Sequence, residues 1–163
     1  MSSPMSDTFP RRATRDDVDG IRRLVADAFG KYVDRIGKPP APMTADYAEL
    51  LDTSRVWVVE HGGDVIGVLV TQAQSDHLLL DVVAVEPTAQ GGGHGRALLE
   101  RADQDAREQG LTEVRLCTNA AMTENLEFYP RRGFHETGRG VQDGYHRVFF
   151  TKAVDATGPT SRR

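Results

Sequence analysis

Val83-Ala-Val-Glu-Pro-Thr-Ala-Gln-Gly-Gly-Gly-His-Gly-Arg-Ala-Leu-Leu99 is the stretch of this 163-residue chain that decides its fold. An apolar run ends at Val85, a Pro-containing turn follows, and glycines lead straight into a helical pattern. About four N–H groups at a helix start lack internal partners, and the helix dipole adds partial positive charge there. Glycines remove the Cβ atoms that would hold an anion away from those donors, so the stretch reads as a phosphate cradle. Two common cradles are excluded. The nucleoside-triphosphate loop ends in Gly-Lys-Ser/Thr, which the chain lacks. The dinucleotide fingerprint needs a third Gly or Ala; counted from Gly93 and Gly95 that position holds Leu98, and from Gly91 and Gly93 it holds Arg96. A merely flexible turn is the other reading, but a turn needs one glycine, and adjacent glycines cost conformational entropy.

Outward from the cradle, residues 78–85 are almost continuously apolar, interrupted by Asp81, as in a strand covered on both faces. Downstream, Leu98, Ala102 and Ala106 give 93–109 one packing face of a helix that Gly110 closes. A strand over 111–118, a short helix over 122–128 and a strand pair at 134–137 and 145–152 follow. Upstream, Val56, Trp57, Val58 and Val59 before His61-Gly-Gly-Asp64 predict a hairpin over 55–72. Thr14 and Asp17 fit a capping box. Behind them Val18, Ile21, Val25, Ala28 and Phe29 predict a helix that ends at Gly30. Residues 31–54 read as a second helical region, broken at 37–42. The order β-α-α-β-β-β-α-β-α-β-β belongs to the mixed α/β class, with helices on both faces of one sheet. The expectation is a single domain over 9–153, with flexible tails at 1–8 and 154–163.

Composition closes off other classes. With 24 acidic and 20 basic side chains the net charge is −4, which disfavours an electrostatically driven nucleic-acid binder. No apolar run approaches the ~20 residues that span a bilayer. The start of the chain lacks the basic and apolar regions of a signal peptide, so a cytoplasmic protein away from membranes is expected. Cys117, the single cysteine, excludes an internal disulfide framework and a cysteine-rich metal site, and reads as an inert buried thiol. Asp81 is the one acid in an apolar strand. Two-residue alternation places it on the side of Val83 and Val85, where desolvation would raise its pKa toward that of a general base. An acid that caps a turn or pairs with an arginine is the equal alternative, and Glu60, His77 and His146 are fallback bases.

Gln90-Gly-Gly-Gly93-His-Gly95 resembles the Q/R-x-x-G-x-G/A signature of the GCN5-related N-acetyltransferases (GNAT). Asn125, Tyr129 and Gly133-Phe134 resemble that family's second motif, and the resemblance extends over residues 10–153. It implies a mostly antiparallel sheet splayed between strands 4 and 5, acetyl-coenzyme A as cosubstrate and no metal. By position, Gln90, Gly91, Gly92, Gly93, His94, Gly95 and Arg96 are implied to hold the coenzyme's pyrophosphate. The pantetheine arm is implied to lie along Val83, Ala84 and Val85, with the Val83 or Val85 N–H facing the thioester oxygen, and with Asn125 and Phe128 beside it. Tyr129, four residues after Asn125 and on the same helix face, is implied as the general acid; a phenol near 10 stays protonated at neutral pH. Pro130 directly after it disfavours helical backbone at Tyr129.

The family's acceptor site lies under the segment matching 31–54, which makes Tyr32, Arg35 and Met43, with Tyr145 from the closing strands, the expected acceptor-binding side chains. Arg35 has the geometry to grip a carboxylate, or it pairs with a surface acid. The function so implied is direct acetyl transfer, in a ternary complex, to a primary amine of a small molecule or peptide. Dimers are common in the family, which extends the expectation to a homodimer. The alternative is a catalytically silent coenzyme A-binding module on the same fold. Fold analogy does not choose the acceptor.

Overall fold

The structure, a computed structural model, describes residues 9–155. Its elements are β1 (Arg11–Arg12), α1 (Val18–Phe29), α2 (Tyr32–Ile36), α3 (Ala41–Thr44), α4 (Tyr47–Thr53), β2 (Arg55–His61), β3 (Asp64–Ala73) and β4 (Leu78–Val85). Then come α5 (His94–Glu108), β5 (Glu113–Asn119), α6 (Thr123–Phe128), β6 (His135–Gln142) and β7 (Tyr145–Ala153). Of the expected tails 1–8 and 154–163, residues 1–8 and 156–163 lie outside the described residues. Val154, assigned to a tail by sequence, is buried, and its N–H donates to the Thr112 carbonyl at 2.8 Å.

The strands form one sheet in the order β1-β2-β3-β4-β5-β7-β6. Every neighbouring pair is antiparallel except β4 and β5, which run parallel. This is the mixed α/β sheet that the element order implied. Each face is covered by an amphipathic helix. The α1 stripe of Ile21, Leu24, Val25 and Ala28 packs with Val58, Val68, Val70, Val82 and Ala84. On the other face the α5 stripe of Leu98, Leu99, Ala102 and Ala106 packs with Val59, Leu69, Leu78 and Leu80. The capping box forms as read, with the Thr14 N–H donating to Asp17 Oδ2 at 2.8 Å.

A register shift in the β3–β4 pair sets where Asp81 points. Val70 pairs with Val82 but Thr71 pairs with Leu80, so Asp81 is the extra residue of a β-bulge. Leu78 and Leu80 therefore pack toward α5 while Val82 and Ala84 pack toward α1. The alternation that put Asp81 on the side of Val83 and Val85 is broken at Asp81 itself. Val83 and Val85 pack on the α5 side, whereas the charge of Asp81 is felt by Tyr47 of α4 on the opposite face.

Asp105 pins α5 to the sheet. Its carboxylate is fully buried and accepts from Trp57 Nε1 at 2.9 Å and Thr71 Oγ1 at 2.7 Å, and it pairs with Arg55 and Arg101, each at 3.1 Å. A buried ion that loses one partner leaves the others uncompensated. Asp105→Ala is expected to cost about 3–5 kcal/mol in urea unfolding; a loss below about 1 kcal/mol would show that the network is not what fixes the helix.

Candidate active site

β4 and β5 pair through only Leu78–Val114 and Leu79–Arg115, and beyond that point they diverge. The inner edge of β4 is thereby left open. The Glu86 N–H donates to the Ile66 carbonyl of the neighbouring strand at 2.8 Å. In an antiparallel pair, hydrogen-bonded positions alternate, so Ala84 and Val82 also face β3. The N–H groups of Val83 and Val85 consequently point into the gap. The Val85 carbonyl points the same way and accepts from Gln90 Nε2 at 3.1 Å, which ties the turn to the strand end.

The turn delivers the chain into α5 with its amides exposed. Gly91 and Gly93 have φ of +91° and +88°, a backbone that side chains rarely adopt. Gly95 is needed for another reason: a Cβ there would stand 3.2 Å from the Phe128 ring. Among the described residues, no N–H from 91 to 96 donates to a backbone carbonyl or a side chain, the first helical bond being from Ala97 to the Gly93 carbonyl at 3.0 Å. The result is an anion-ready row of donors at the positive end of a fifteen-residue helix.

Two cavities flank the split. The larger, about 560 Å³, runs from the turn along 83–85 past Gln90, Gly91, Gly93, Gly95, Arg96, Phe128 and Arg132. The smaller, about 240 Å³, lies between β4, β5 and the segment 40–45 and contains Asp81, Cys117, Tyr145 and Arg147. Phe29, Val83, Asn125 and Tyr129 line both. They are the junction through which the two spaces meet.

Tyr129 sits there with helical backbone (φ −71°, ψ −42°) despite Pro130. Its ring is held by Phe128, Phe134 and Phe150 at centroid distances of 5.2, 5.6 and 5.8 Å, and that packing outweighs the local preference. Its hydroxyl makes no hydrogen bond among the described residues, and burial raises its pKa above the usual phenol value. Asn125 is fixed by donating from Nδ2 to Thr118 Oγ1 at 2.9 Å. Asp81 opens onto the smaller cavity; surrounding protein pushes its carboxyl above the usual range, while Arg147 pulls it down less strongly.

Not every expected side chain reaches the site. Gly92 and His94 line neither cavity, and the Ala84 N–H is turned toward β3. Tyr32 borders the larger cavity rather than the smaller, with its phenol pushed up to about 12 by burial and Glu124. Arg35 lines neither: its guanidinium is held by Glu124 at 2.9 and 3.0 Å and is not free to grip a ligand. Met43 packs into the α1-side core, and its neighbours Pro40, Ala41, Pro42 and Ala45 line the smaller cavity instead. Tyr145 does line it, with its hydroxyl donating to the Pro39 carbonyl at 2.7 Å. Glu60, His77 and His146 are outside both cavities. Cys117, read as a buried thiol, is half-exposed on the smaller cavity and accepts from Arg147 Nη1 at 3.1 Å. Arg147 and Arg132 went unnoticed in the sequence, where single arginines in a strand and a turn carry no pattern.

The acetyltransferase (GNAT) domain profile matches residues 52–136. The chain is 31% identical over 140 residues to a mycothiol acetyltransferase of Cellulomonas flavigena, which is 78% of this chain and 40% of that protein. It is also 31% identical over 86 residues to an IAA acetyltransferase of Azospirillum brasilense, 52% of this chain and 56% of that one. The chain thus spans about half the length of these curated relatives. The crystal structure of PaiA N-acetyltransferase from Thermoplasma acidophilum in complex with coenzyme A superposes with a TM-score of 0.73 at 14% identity, covering 88% of this chain and 97% of that one. That likeness is one of fold. A split sheet with an amide-lined turn at the end of its central strand defines the acetyltransferase fold class, and the chain belongs to the GNAT family.

The glycines make a discriminating test. Gly91→Ala and Gly93→Ala force side chains into left-handed backbone and are each expected to lose about 1–2 kcal/mol of stability. Gly92→Ala, with nothing nearer than 3.4 Å and no positive φ, is expected to stay within about 0.5 kcal/mol. Equal losses at 91, 92 and 93 in denaturant unfolding would contradict the turn geometry.

Proposed function

We propose that this chain is an acetyl-coenzyme A-dependent N-acetyltransferase that passes acetyl directly to an amine held in the smaller cavity. The observation that carries the reading is the junction: Phe29, Val83, Asn125 and Tyr129 face both the coenzyme-sized groove and the smaller cavity. Two ligands entering from opposite sides would meet there without a covalent enzyme intermediate. When bound, the coenzyme supplies an activated acyl group on a thiol leaving group.

The residues present fit that ligand. The free amides of Gly91, Gly93, Gly95 and Arg96 at the start of α5 would hold its diphosphate, with the Arg96 and Arg132 side chains alongside. The unpaired edge of β4 would take an extended amide-bearing arm as an added strand. Val83 is singled out from Val85 because it alone of the two lines both cavities. Its N–H would donate to the thioester oxygen, which gains charge as the amine attacks. A preorganised donor of this kind is worth about 2.7–4 kcal/mol in the transition state.

A phenol keeps its proton at neutral pH, and burial raises Tyr129 further above that range. Its hydroxyl, unengaged within the protein, would donate to the departing sulfur. A phenol above its usual range gives a proton to a thiolate uphill, so the hydrogen bond to developing negative charge contributes more than complete transfer. Asp81 would accept the proton from the incoming ammonium. Its raised carboxyl lies closer to neutrality than an ordinary aspartate, which improves it as a base.

Thiol release assayed with and without amine tests this. Tyr129→Phe is expected to lower kcat about 100-fold with little change in coenzyme affinity. Asp81→Asn is expected to lower it by a similar factor at neutral pH. That deficit should shrink as pH rises, because the free amine becomes abundant without a base. Thiol release independent of added amine, or an unchanged kcat in Tyr129→Phe, would contradict the mechanism. Coenzyme binding without release for any amine would instead mark a silent binding module.

A further inference from the structure

The smaller cavity has apolar walls, among them Phe29, Pro40, Pro42, Leu116 and Met122, and two charged groups of opposite sign, Asp81 and Arg147. Arg147 is the unexplained one. It projects from β7 at the position paired with Asn119, and it is half-buried. Among the described residues no carboxylate lies within ion-pair distance of it. Its Nη1 donates to Cys117 Sγ at 3.1 Å, a weak acceptor, and its guanidinium lies 5.3 Å from the Tyr145 ring. Its Nε is buried with no hydrogen-bond partner at all.

This half-buried guanidinium feels the Asp81 charge across the cavity but has no carboxylate in ion-pair contact, and its orphaned Nε–H is left for a ligand to complete. Arg35 is engaged by Glu124, and Arg132, whose Nε is likewise unpartnered, is held by the Phe128 carbonyl and ring and lines the larger cavity; Arg147 is the arginine that lines the smaller one. Aspartate on the bulge at one side of the cavity and arginine on β7 at the other form a dipolar pair of walls. An amine carrying its own carboxylate is the complement of that pair, with the ammonium at Asp81 and the carboxylate at Arg147. A peptide N-terminus lacks the second charge, because its carboxyl is an amide. A volume of about 240 Å³ has room for a single amino acid with an apolar side chain.

Resting on the transferase reading, we infer that the acceptor is a small free aminocarboxylate with an apolar side chain, and that Arg147 reads its carboxylate. Arg147 is a specificity-determining residue, distinct from the groups that move protons.

The test compares L-phenylalanine, L-phenylalaninamide and phenethylamine as acceptors by thiol release. The expected result is a kcat/KM for the free acid about 100-fold above both the amide and the amine, the size of effect seen when a desolvated charge pair loses one partner. In Arg147→Gln that ratio should fall to within about threefold. Arg147→Lys should keep part of it, since a point charge replaces a planar fork. Equal turnover of acid, amide and amine by the wild-type protein overturns the inference while leaving the transferase reading intact, and this comparison needs no variant to fold. Arg147→Gln lowering all acceptors equally, with an unchanged ratio, also overturns it by making Arg147 structural. Absence of thiol release with every amine removes the transferase reading. Calorimetric binding of L-phenylalanine to the coenzyme A-loaded protein then decides the carboxylate question separately: binding lost in Arg147→Gln supports it, and no binding to the wild type overturns it.

Discussion

The structure depends on a pairing that stops early. Parallel β4 and β5 share only two register positions before they part, and every feature of the site is a consequence. Asp81, the bulged residue, comes two positions after the last of these. A bulge adds twist and bends its strand, so β4 turns away from β5 where the separation begins. The Val83 and Val85 backbone groups are then left without strand partners. Such groups must find water or a ligand, because an unpaired backbone donor in a protein interior costs as much as a lost hydrogen bond. The inner edge of β4 is therefore open to an added strand.

What keeps the split from collapsing is the packing of its two halves. β4 is held against β3 over its full length and clamped between α1 and α5. β5 is held by β7 along all seven of its residues. Each half has its own antiparallel partner and need not pair across the gap. The Asp105 network holds α5 from its far end, so the helix start stays aimed at the mouth of the groove. Donors on the turn, the open strand edge and the junction tyrosine thus lie along one continuous path.

The residues made some of this legible. Hydrophobic spacing gave both covering helices, and the doubled glycine turn gave the hairpin, because those patterns express local periodicity. The cradle was legible because positive φ at Gly91 and Gly93 and the close approach at Gly95 demand glycine. The split was not; it came only through the family resemblance, since a parallel pair that ends early leaves no mark in either strand. The bulge inverted the side expected for Asp81, because a single inserted residue is invisible to two-residue alternation. Arg35 was drawn away by Glu124, which lies far along the chain, and Met43 by the core. Long-range pairs of this kind are written in the fold and not in local sequence. Tyr129 took helical backbone before a proline because three aromatic rings hold it.

Amide hydrogen exchange read residue by residue along β4, with and without coenzyme A, tests the central claim most directly. The account predicts that the Val83 and Val85 amides exchange quickly in the free protein, that Val82 and Ala84 are protected throughout by β3, and that coenzyme A slows Val83 and Val85 selectively. Equal protection of all four in the free protein would mean that the β4 edge is not open. Unchanged exchange at Val83 and Val85 with the coenzyme bound would mean that the gap is not where the ligand lies.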